Sequence, residues 1–231
     1  MEYININNIN IEVEYKPIKN IHLSVYPPNG RVHISAPETM KKESVRLYAI
    51  FKLSWVKRQI EKVQNQERQT PREYVSGENH YFKGLRYRLN VIERNASPKI
   101  ELQGRRYIKM YVRPGSTIEK KEEVLREWYR DELKQILKPM VSKWENILQV
   151  KVSYWEVKQM KTLWGSCNTR TKRIIFNLEL AKKPVYCIEY IVTHELAHLI
   201  ERLHNATFTA LLDVHLPDWQ RLKDELNEFT V

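Results

Sequence analysis

The stretch from Thr193 to Arg202, THELAHLIER, constrains this chain more than any other part of its sequence. Three of its residues, His194, Glu195 and His198, form the pattern H-E-x-x-H. On a helix, positions four apart lie on one face, so both imidazoles can reach one metal ion while the carboxylate lies beside them. This arrangement is typical of zinc hydrolases, in which the glutamate acts as general base.

The segment from Pro184 to Leu203 has the periodicity of an amphipathic helix, which gives the pattern a helical context. Its apolar positions are Ile188, Ile191, Val192, Leu196, Leu199, Ile200 and Leu203. The alternative is that His194 and His198 are partly buried and satisfied by backbone carbonyls. Because Glu195 stands between them, we favour a metal site.

A catalytic zinc site needs a third protein ligand and keeps a fourth position open. The candidates downstream are Glu201, His204, Asp213, His215 and Asp218. On a continuous helix, His204 would point about 80° away from the ligand face, so it can bind only if the helix ends near Arg202. Asn205 is a plausible left-handed residue at such an end. His215 is the main competitor.

The N-terminal half is predicted to contain β-strands and one long helix. Alternating apolar and polar residues from Tyr3 to Ala36 predict antiparallel strands with a turn at residues 27–30. A helix is expected from Glu38 to Arg68, followed by a polar linker at residues 65–72. Further strands are expected between residues 79 and 112.

The C-terminal half begins with a helix from Ile118 to Leu148, with a kink expected at Pro139. Strands are predicted at Val150–Lys158 and Arg173–Leu178. In zincin-type sites an edge strand near the metal pairs with an extended peptide, and either of these strands could do so.

The segment Trp164–Asn168, WGSCN, lies between those two strands. It could line the substrate cleft, or it could form a tight turn in which Gly165 takes an unusual φ and Trp164 packs. We favour the turn, partly because Cys167 has no base partner visible in the sequence that would mark a nucleophile. Cys167 as a metal ligand is the least favoured of the alternatives.

Taken together, these motifs resemble the YgjP-like metal-dependent hydrolases, which are relatives of the SprT-type zinc metallopeptidases. The matching residues are Trp164–Asn168, Phe176–Leu178 with Leu180, Tyr190, His194–His198, His204 with Phe208, and Pro217–Trp219. The resemblance implies a zinc metallopeptidase or amide hydrolase that acts on peptides or proteins, with His204 as the third ligand. Leu163 stands where the family usually has Arg, with Lys161 as the nearby basic residue that could take its place, and Asn205 stands where the family commonly has Ser.

The residue types then suggest a mechanism. Zn²⁺ held by His194, His198 and His204 would lower the pKa of a water molecule and polarise the substrate carbonyl. Glu195 would take the proton of that water and pass it to the leaving amine. Tyr190 either donates a hydrogen bond to the developing oxyanion or packs under the helix, and we favour packing. The weak candidates for substrate binding are Tyr190, Trp164 and Asn177.

The net charge of +11 is unevenly distributed along the chain. Residues 1–118 hold 21 basic and 11 acidic side chains, whereas residues 119–231 hold 18 and 17. A basic half of this kind can attract nucleic acid, so a basic accessory protein with a structural metal is the alternative function. No compact aromatic and basic recognition motif is evident, and at most weak association is expected.

From the remaining features we expect a cytoplasmic protein, and from the predicted helices and strands an α+β fold. Two cysteines are too few for a disulfide framework, and the N-terminus lacks the basic start and apolar block of a signal peptide. No stretch approaches the ~18 apolar residues of a membrane span. We expect a β-rich region with one long helix over residues 1–116, followed by a mostly helical zincin-like catalytic domain over residues 117–231.

Overall fold

The computed structural model describes residues 2–26, 29–65 and 72–228. The chain forms two compact units, Met1–Arg68 and Gln69–Val231. The structure therefore places the division at residues 68/69 instead of 116/117. The reason is that the strands after residue 79 and the helix after residue 117 bury their apolar faces in one core.

The first unit is a four-stranded sheet with two helices. Its elements are β1 (Glu2–Ile6), β2 (Ile9–Lys16), β3 (His22–Tyr26), β4 (Arg31–Pro37), α1 (Lys42–Phe51) and α2 (Leu53–Asn65). The strand order is β1-β2-β4-β3, in which β2 and β4 are parallel and the other pairs antiparallel. The alternating residues Ile11, Val13 and Ile34 are buried beneath the helices, together with Val45 and Ala49.

The first unit differs from the predicted helix, and the predicted turn and linker lie partly outside the described residues. The single helix expected from Glu38 to Arg68 is two helices, because the chain leaves helical geometry at Lys52 (φ −89°, ψ 3°). In the predicted turn at residues 27–30, Pro27 and Pro28 lie outside the described residues, as do residues 66–71 of the predicted linker.

The second unit begins with another four-stranded sheet. It contains β5 (Asn79–Phe82), β6 (Leu85–Glu93), β7 (Lys99–Gln103) and β8 (Tyr107–Val112), in the order β5-β6-β8-β7. One face buries Leu89, Ile108 and Met110 in the core that this sheet shares with α3 (Ile118–Leu148). Thr117 caps α3 by accepting a hydrogen bond from the backbone N–H of Lys120, and α3 continues through Pro139 without interruption.

The remainder of the second unit surrounds the H-E-x-x-H segment. It contains β9 (Tyr154–Lys158), β10 (Gly165–Asn168), β11 (Arg173–Asn177), a 3₁₀ helix (Leu178–Lys182), α4 (Val185–Ala197), α5 (Ala206–His215) and α6 (Trp219–Glu228). The three strands form a second sheet in the order β10-β11-β9. Glu189 ties α4 to α3, because its carboxylate accepts hydrogen bonds from Lys143 Nζ (2.6 Å) and Trp144 Nε1 (3.0 Å).

These elements confirm the predicted α+β class, with a β-rich N-terminal region and a mostly helical C-terminal part. None of the helices that the structure describes combines the length and the apolar character that a membrane crossing requires.

Candidate metal centre and cleft

Helix α4 carries the first two histidines of the site at its C-terminal end. It is buried along most of its length, and it ends at Ala197 with His198 as the capping residue. The backbone N–H groups of Ile200 and Glu201 both bond to the carbonyl of Ala197, which closes the chain into a turn. The helix thus ends even before Arg202, and the turn leaves the chain free to return His204 to the ligand face.

Asn205 takes part in this return, although not in the predicted way. Its backbone is extended (φ −95°, ψ −173°) instead of left-handed, so it does not end α4. It is the N-cap of α5, and its side-chain oxygen accepts a hydrogen bond from the N–H of Phe208 (3.0 Å). A short polar side chain is favoured at this position because it satisfies an N–H group that the helix leaves unpaired.

His194, His198 and His204 come together at one point. One ring nitrogen from each lies within 4.8 Å of the others, and Nε2 of His204 is 3.0 Å from Nε2 of His194. Three nitrogens bound to one tetrahedral zinc at 2.0–2.1 Å would lie about 3.3 Å apart. The observed spacing therefore needs only small side-chain movements to hold such an ion.

The environment of the rings also suits a metal. Nδ1 of His198 is 3.2 Å from the carbonyl oxygen of Glu201, a contact that orients the ring and leaves Nε2 available. Burial, followed by the charges of His198 and His204, lowers the pKa of His194 to about 3, so this imidazole is neutral, as a ligand must be. Nδ1 of His194 is buried and has no hydrogen-bond partner among the described residues. The donor set and its spacing fit a divalent ion such as zinc.

Phe208 holds the three rings in place. Its ring is stacked on His198 (centroids 4.7 Å apart) and meets His194 and His204 edge-on at 5.0 and 4.8 Å. Because Phe208 is itself buried at the start of α5, it limits the rotation of all three imidazoles. The sequence pointed to this residue only through the family resemblance.

Glu195 lies on the same helix end, only 5% exposed. Burial raises the pKa of its carboxyl to about 8, and a cation bound by the neighbouring imidazoles would lower it again. The side chain lies directly against Gly165: a β-carbon on that glycine would be 2.5 Å from Oε1 of Glu195 and 2.6 Å from its Cγ. Only glycine leaves room for this carboxylate.

A cleft of about 770 Å³ opens over the three histidines and Glu195. Such a volume is in the usual range for a ligand-binding site. Its walls come from the segment 163–170, from α4, from Arg202 and His204, and from α6. Trp164 and Tyr190, two of the predicted substrate-binding residues, are in this lining. The ring of Tyr190 packs edge-on against His194 (5.7 Å), and burial raises its pKa to about 12, so the hydroxyl stays protonated.

Asn177, the third predicted substrate-binding residue, is not in the cleft lining. It is buried behind it, where its amide donates to the carbonyls of Met160 (3.0 Å) and Leu163 (2.7 Å). Its side-chain oxygen accepts from the N–H groups of Met160 and Glu179. The structure thus gives Asn177 a local role, which is to fix the chain that leads into β10.

The segment Trp164–Asn168 differs most from expectation. The favoured tight turn is not present: Gly165 is not among the residues with positive φ, and Gly165–Asn168 form strand β10 along the cleft. Of the two predicted edge strands, Arg173–Leu178 contains β11, which is central because β10 and β9 pair on either side of it. Val150–Lys158 contains β9, the edge strand of the opposite side. The edge strand at the cleft is therefore β10.

Cys167 lies in β10 and faces the same cleft. Burial, with a smaller contribution from the charge of Glu195, raises the pKa of its thiol to about 11. A thiol with that pKa stays protonated at neutral pH, which argues against a nucleophilic role.

The other candidates for a third ligand are engaged elsewhere or lie apart from the three histidines. Asp213 accepts a hydrogen bond from Trp219 Nε1 (2.7 Å), Asp218 pairs with Arg221, and Glu201 accepts from the N–H of Leu203 (2.9 Å). His215 ends α5. Within the described ranges, none of them belongs to the group formed by the three histidines.

Comparison with known proteins identifies the family. The family model described as YgjP-like, metallopeptidase domain, matches residues 19–229. The chain therefore belongs to the YgjP-like family. This family is one of metallopeptidase domains, in agreement with the resemblance drawn from the motifs.

Two solved structures are similar to part of this YgjP-like chain. The metallopeptidase zymogen abylysin of Pyrococcus abyssi is 17% identical, with a TM-score of 0.36 over 38% of this chain and 90% of that one. The metallopeptidase zymogen jannalysin of Methanocaldococcus jannaschii is 21% identical, with a TM-score of 0.37 over 41% and 89%. A search of curated proteins gives no significant match.

Proposed function

We propose that this YgjP-like chain is a zinc-dependent peptidase. The observation that carries the proposal is the convergence of three imidazoles beside a buried carboxylate, in a cleft that has a strand edge along one wall. His194, His198 and His204 would hold the ion. The catalytic chemistry then lies within residues 117–231, the segment predicted as the catalytic domain.

A zinc ion held there supplies positive charge, which lowers the pKa of a water molecule and polarises the carbonyl of the substrate. Glu195 accepts a proton from the water while the oxygen of the water forms a bond to the carbonyl carbon. The same carboxyl then gives that proton to the nitrogen as the carbon–nitrogen bond breaks. One water is consumed, and the products are a carboxylate and an amine.

We also assign Tyr190 a role in the same step. Its hydroxyl is protonated at neutral pH and it lines the cleft, so it can donate a hydrogen bond to the carbonyl oxygen as negative charge develops there. Its packing against His194 is a second role that does not exclude the first.

Strand β10 provides a way to bind an extended peptide. The carbonyl of Trp164 bonds to the N–H of Asn177 in β11. Because backbone groups alternate between the two edges of an antiparallel strand, those of Gly165 and Cys167 point away from β11. They are available to pair with a substrate backbone, a mode known as strand addition.

The alternative function, a basic accessory protein with a structural metal, is less well supported. A structural zinc is usually held by four protein ligands. In the part of the chain that the structure describes, the candidate group contains three, and it opens to a cleft.

The decisive experiment removes the metal and returns it. The purified protein is stripped with a chelator, reloaded with zinc, and assayed on a mixture of unstructured peptides by mass spectrometry. We expect cleavage by the zinc-loaded protein and none by the stripped protein. The absence of cleavage from a fully zinc-loaded, folded sample would refute the peptidase.

A further inference from the structure

Charge is unevenly distributed around the cleft. Among the residues that the structure describes, the lining contains three cationic side chains, those of Arg170, Arg202 and Lys223, and one carboxylate, that of Glu195. Among the described residues, none of the three cations forms an ion pair. The cleft therefore presents an excess of positive charge to whatever enters it, and a bound divalent ion adds to that excess.

The three cations lie at different places relative to the histidines. Lys223 is close to the histidines. Its charge contributes to the lowered pKa of His194, after the larger effects of burial and of the charges of His198 and His204. Arg202 lies in the turn between His198 and His204. Arg170 is farther away. Strand β10 begins at Gly165, next to Glu195, and each residue of a strand adds about 3.3 Å, so Arg170 lies well beyond the histidines.

The carboxylates next to Arg202 and Lys223 in the sequence, those of Glu201 and Asp224, are not in the cleft lining. That of Glu201 accepts a hydrogen bond from the N–H of Leu203 (2.9 Å). The charge of Asp224 acts on Tyr190, whose pKa is raised first by burial, then by Glu195 and then by Asp224. Neither residue is in the cleft lining, so the cations there keep their charge available for a ligand.

We propose that the cleft selects peptides that carry a carboxylate close to the scissile bond, and that Lys223 and Arg202 bind this carboxylate. The proposal rests on the peptidase function proposed above and names its substrate class. The carboxylate can belong to a Glu or Asp side chain or to the C-terminus of the peptide. Both sources offer the same chemistry, an anion with two acceptor oxygens for an ammonium or guanidinium group.

Matched peptides separate these sources. A set of internally quenched peptides carries either Glu or its neutral isostere Gln on each side of one scissile bond, with the C-terminus as free acid or as amide. For the zinc-loaded protein we expect kcat/KM to be about three- to tenfold higher for the carboxylate members, the range for a charge-assisted contact that stays partly solvated. A preference for Glu over Gln identifies a side-chain carboxylate, and a preference for acid over amide identifies the C-terminus.

Variants show whether the cations cause the preference. In Lys223→Gln and Arg202→Gln the ratio of kcat/KM between carboxylate and neutral peptides should fall towards one. The control is Lys134→Gln with Lys138→Gln, which removes two exposed charges from α3 and should keep the wild-type ratio. Equal rates for all peptides with the wild-type protein would overturn the proposal. A preference that survives in both cleft variants would also overturn it, because the metal alone would then account for the preference.

Measurements of peptide binding test the carboxylate site separately from the proposed peptidase activity. Fluorescence anisotropy with zinc-loaded Glu195→Gln protein and labelled Glu or Gln peptides should show tighter binding of the Glu peptide, reduced by Lys223→Gln. If no peptide is cleaved by the wild-type protein but this difference is found, the peptidase fails and the carboxylate site stands. If peptides are cleaved but the difference is absent in both binding and rate, the carboxylate site fails and the peptidase stands.

Discussion

Gly165 lies directly against the carboxylate of Glu195, although the two residues are 30 positions apart in the sequence. A β-carbon on Gly165 would be 2.5 to 2.7 Å from Oε1, Cγ and Cδ of Glu195. Gly165 does not have a positive φ, so the need for glycine here is one of space and not of backbone conformation. The contact joins the edge strand of the cleft to the residue that we propose as general base.

The first prediction follows from this contact. In Gly165→Ala the added methyl group must displace Glu195, so stability should fall by about 1–3 kcal/mol, as for overpacking of a core, and peptide cleavage should be lost. Chemical denaturation measures the stability change.

A double-mutant cycle provides the control. In a Glu195→Ala background the methyl group has room, and the same Gly165→Ala change should cost little stability. A cost that is equal in both backgrounds would mean that Gly165 serves some purpose other than making room for Glu195.

The second prediction concerns Glu195 itself. Glu195→Gln is nearly isosteric and leaves the three histidines in place, so zinc content and melting temperature should change little. Because the amide cannot accept a proton, cleavage should fall by about 10²–10⁴-fold. Zinc release together with a lower melting temperature would show that Glu195 is a ligand or a structural residue.

How far the sequence predicts this site depends on how local each signal is. The start of the helix of His194 and His198 is predicted well, because its apolar periodicity and the spacing of the pair are properties of one short segment. Its end is not, because the periodic segment runs to Leu203 whereas α4 ends at Ala197. The position of His204 could be predicted only conditionally, because His204 reaches the other two histidines only if α4 ends before it. Asn205 shows the limit of residue preferences: asparagine is favoured both at left-handed helix ends and at N-caps, and only the chain path decides.

Strand β10 was missed for a different reason. Its four residues, Gly165–Asn168, have none of the β-branched or aromatic residues that indicate a strand. They become a strand because they pair with β11, which contributes the buried Ile174 and Phe176. The division at residues 68/69 was missed for a similar reason, since no local pattern shows that the four-stranded sheet β5-β6-β8-β7 and α3 share one core.

The third prediction tests strand addition on β10. Substrate peptides that are N-methylated at single positions lose one backbone donor each. Because donors alternate along a strand, cleavage should be impaired at every second position, by about two- to tenfold for one lost hydrogen bond. Uniform tolerance of methylation along the peptide would show that β10 does not pair with substrate.

The fourth prediction concerns the metal ligands. The purified protein should contain about one zinc per chain, bound by His194, His198 and His204. His204→Ala should lower the zinc content measured by inductively coupled plasma mass spectrometry after dialysis. His215→Ala is the matched control, because this residue ends α5 and is not part of the group. Loss of zinc from the His215 variant with retention by the His204 variant would reverse the assignment.

The last prediction concerns the basic N-terminal half. On the face of the sheet β5-β6-β8-β7 that lies away from its core, Arg88 on β6 is paired in register with Tyr107 on β8, and Arg86 and Lys109 belong to the same strands. These charges should give weak binding of single-stranded DNA or RNA without sequence preference, because contacts to phosphates carry no sequence information.

Anisotropy with two unrelated oligonucleotides measures this binding. Affinity should fall steeply between 50 and 200 mM salt, roughly in proportion to the number of phosphates that are neutralised. Arg86→Gln with Arg88→Gln should weaken binding of both oligonucleotides equally, whereas the same loss of two charges at Lys134 and Lys138 on α3 should have a smaller effect. Tight binding of one oligonucleotide over the other at physiological salt would contradict the prediction. It would also strengthen the nucleic-acid-associated function over the peptidase, because stacking and base contacts, and not charge alone, would then have to explain the affinity.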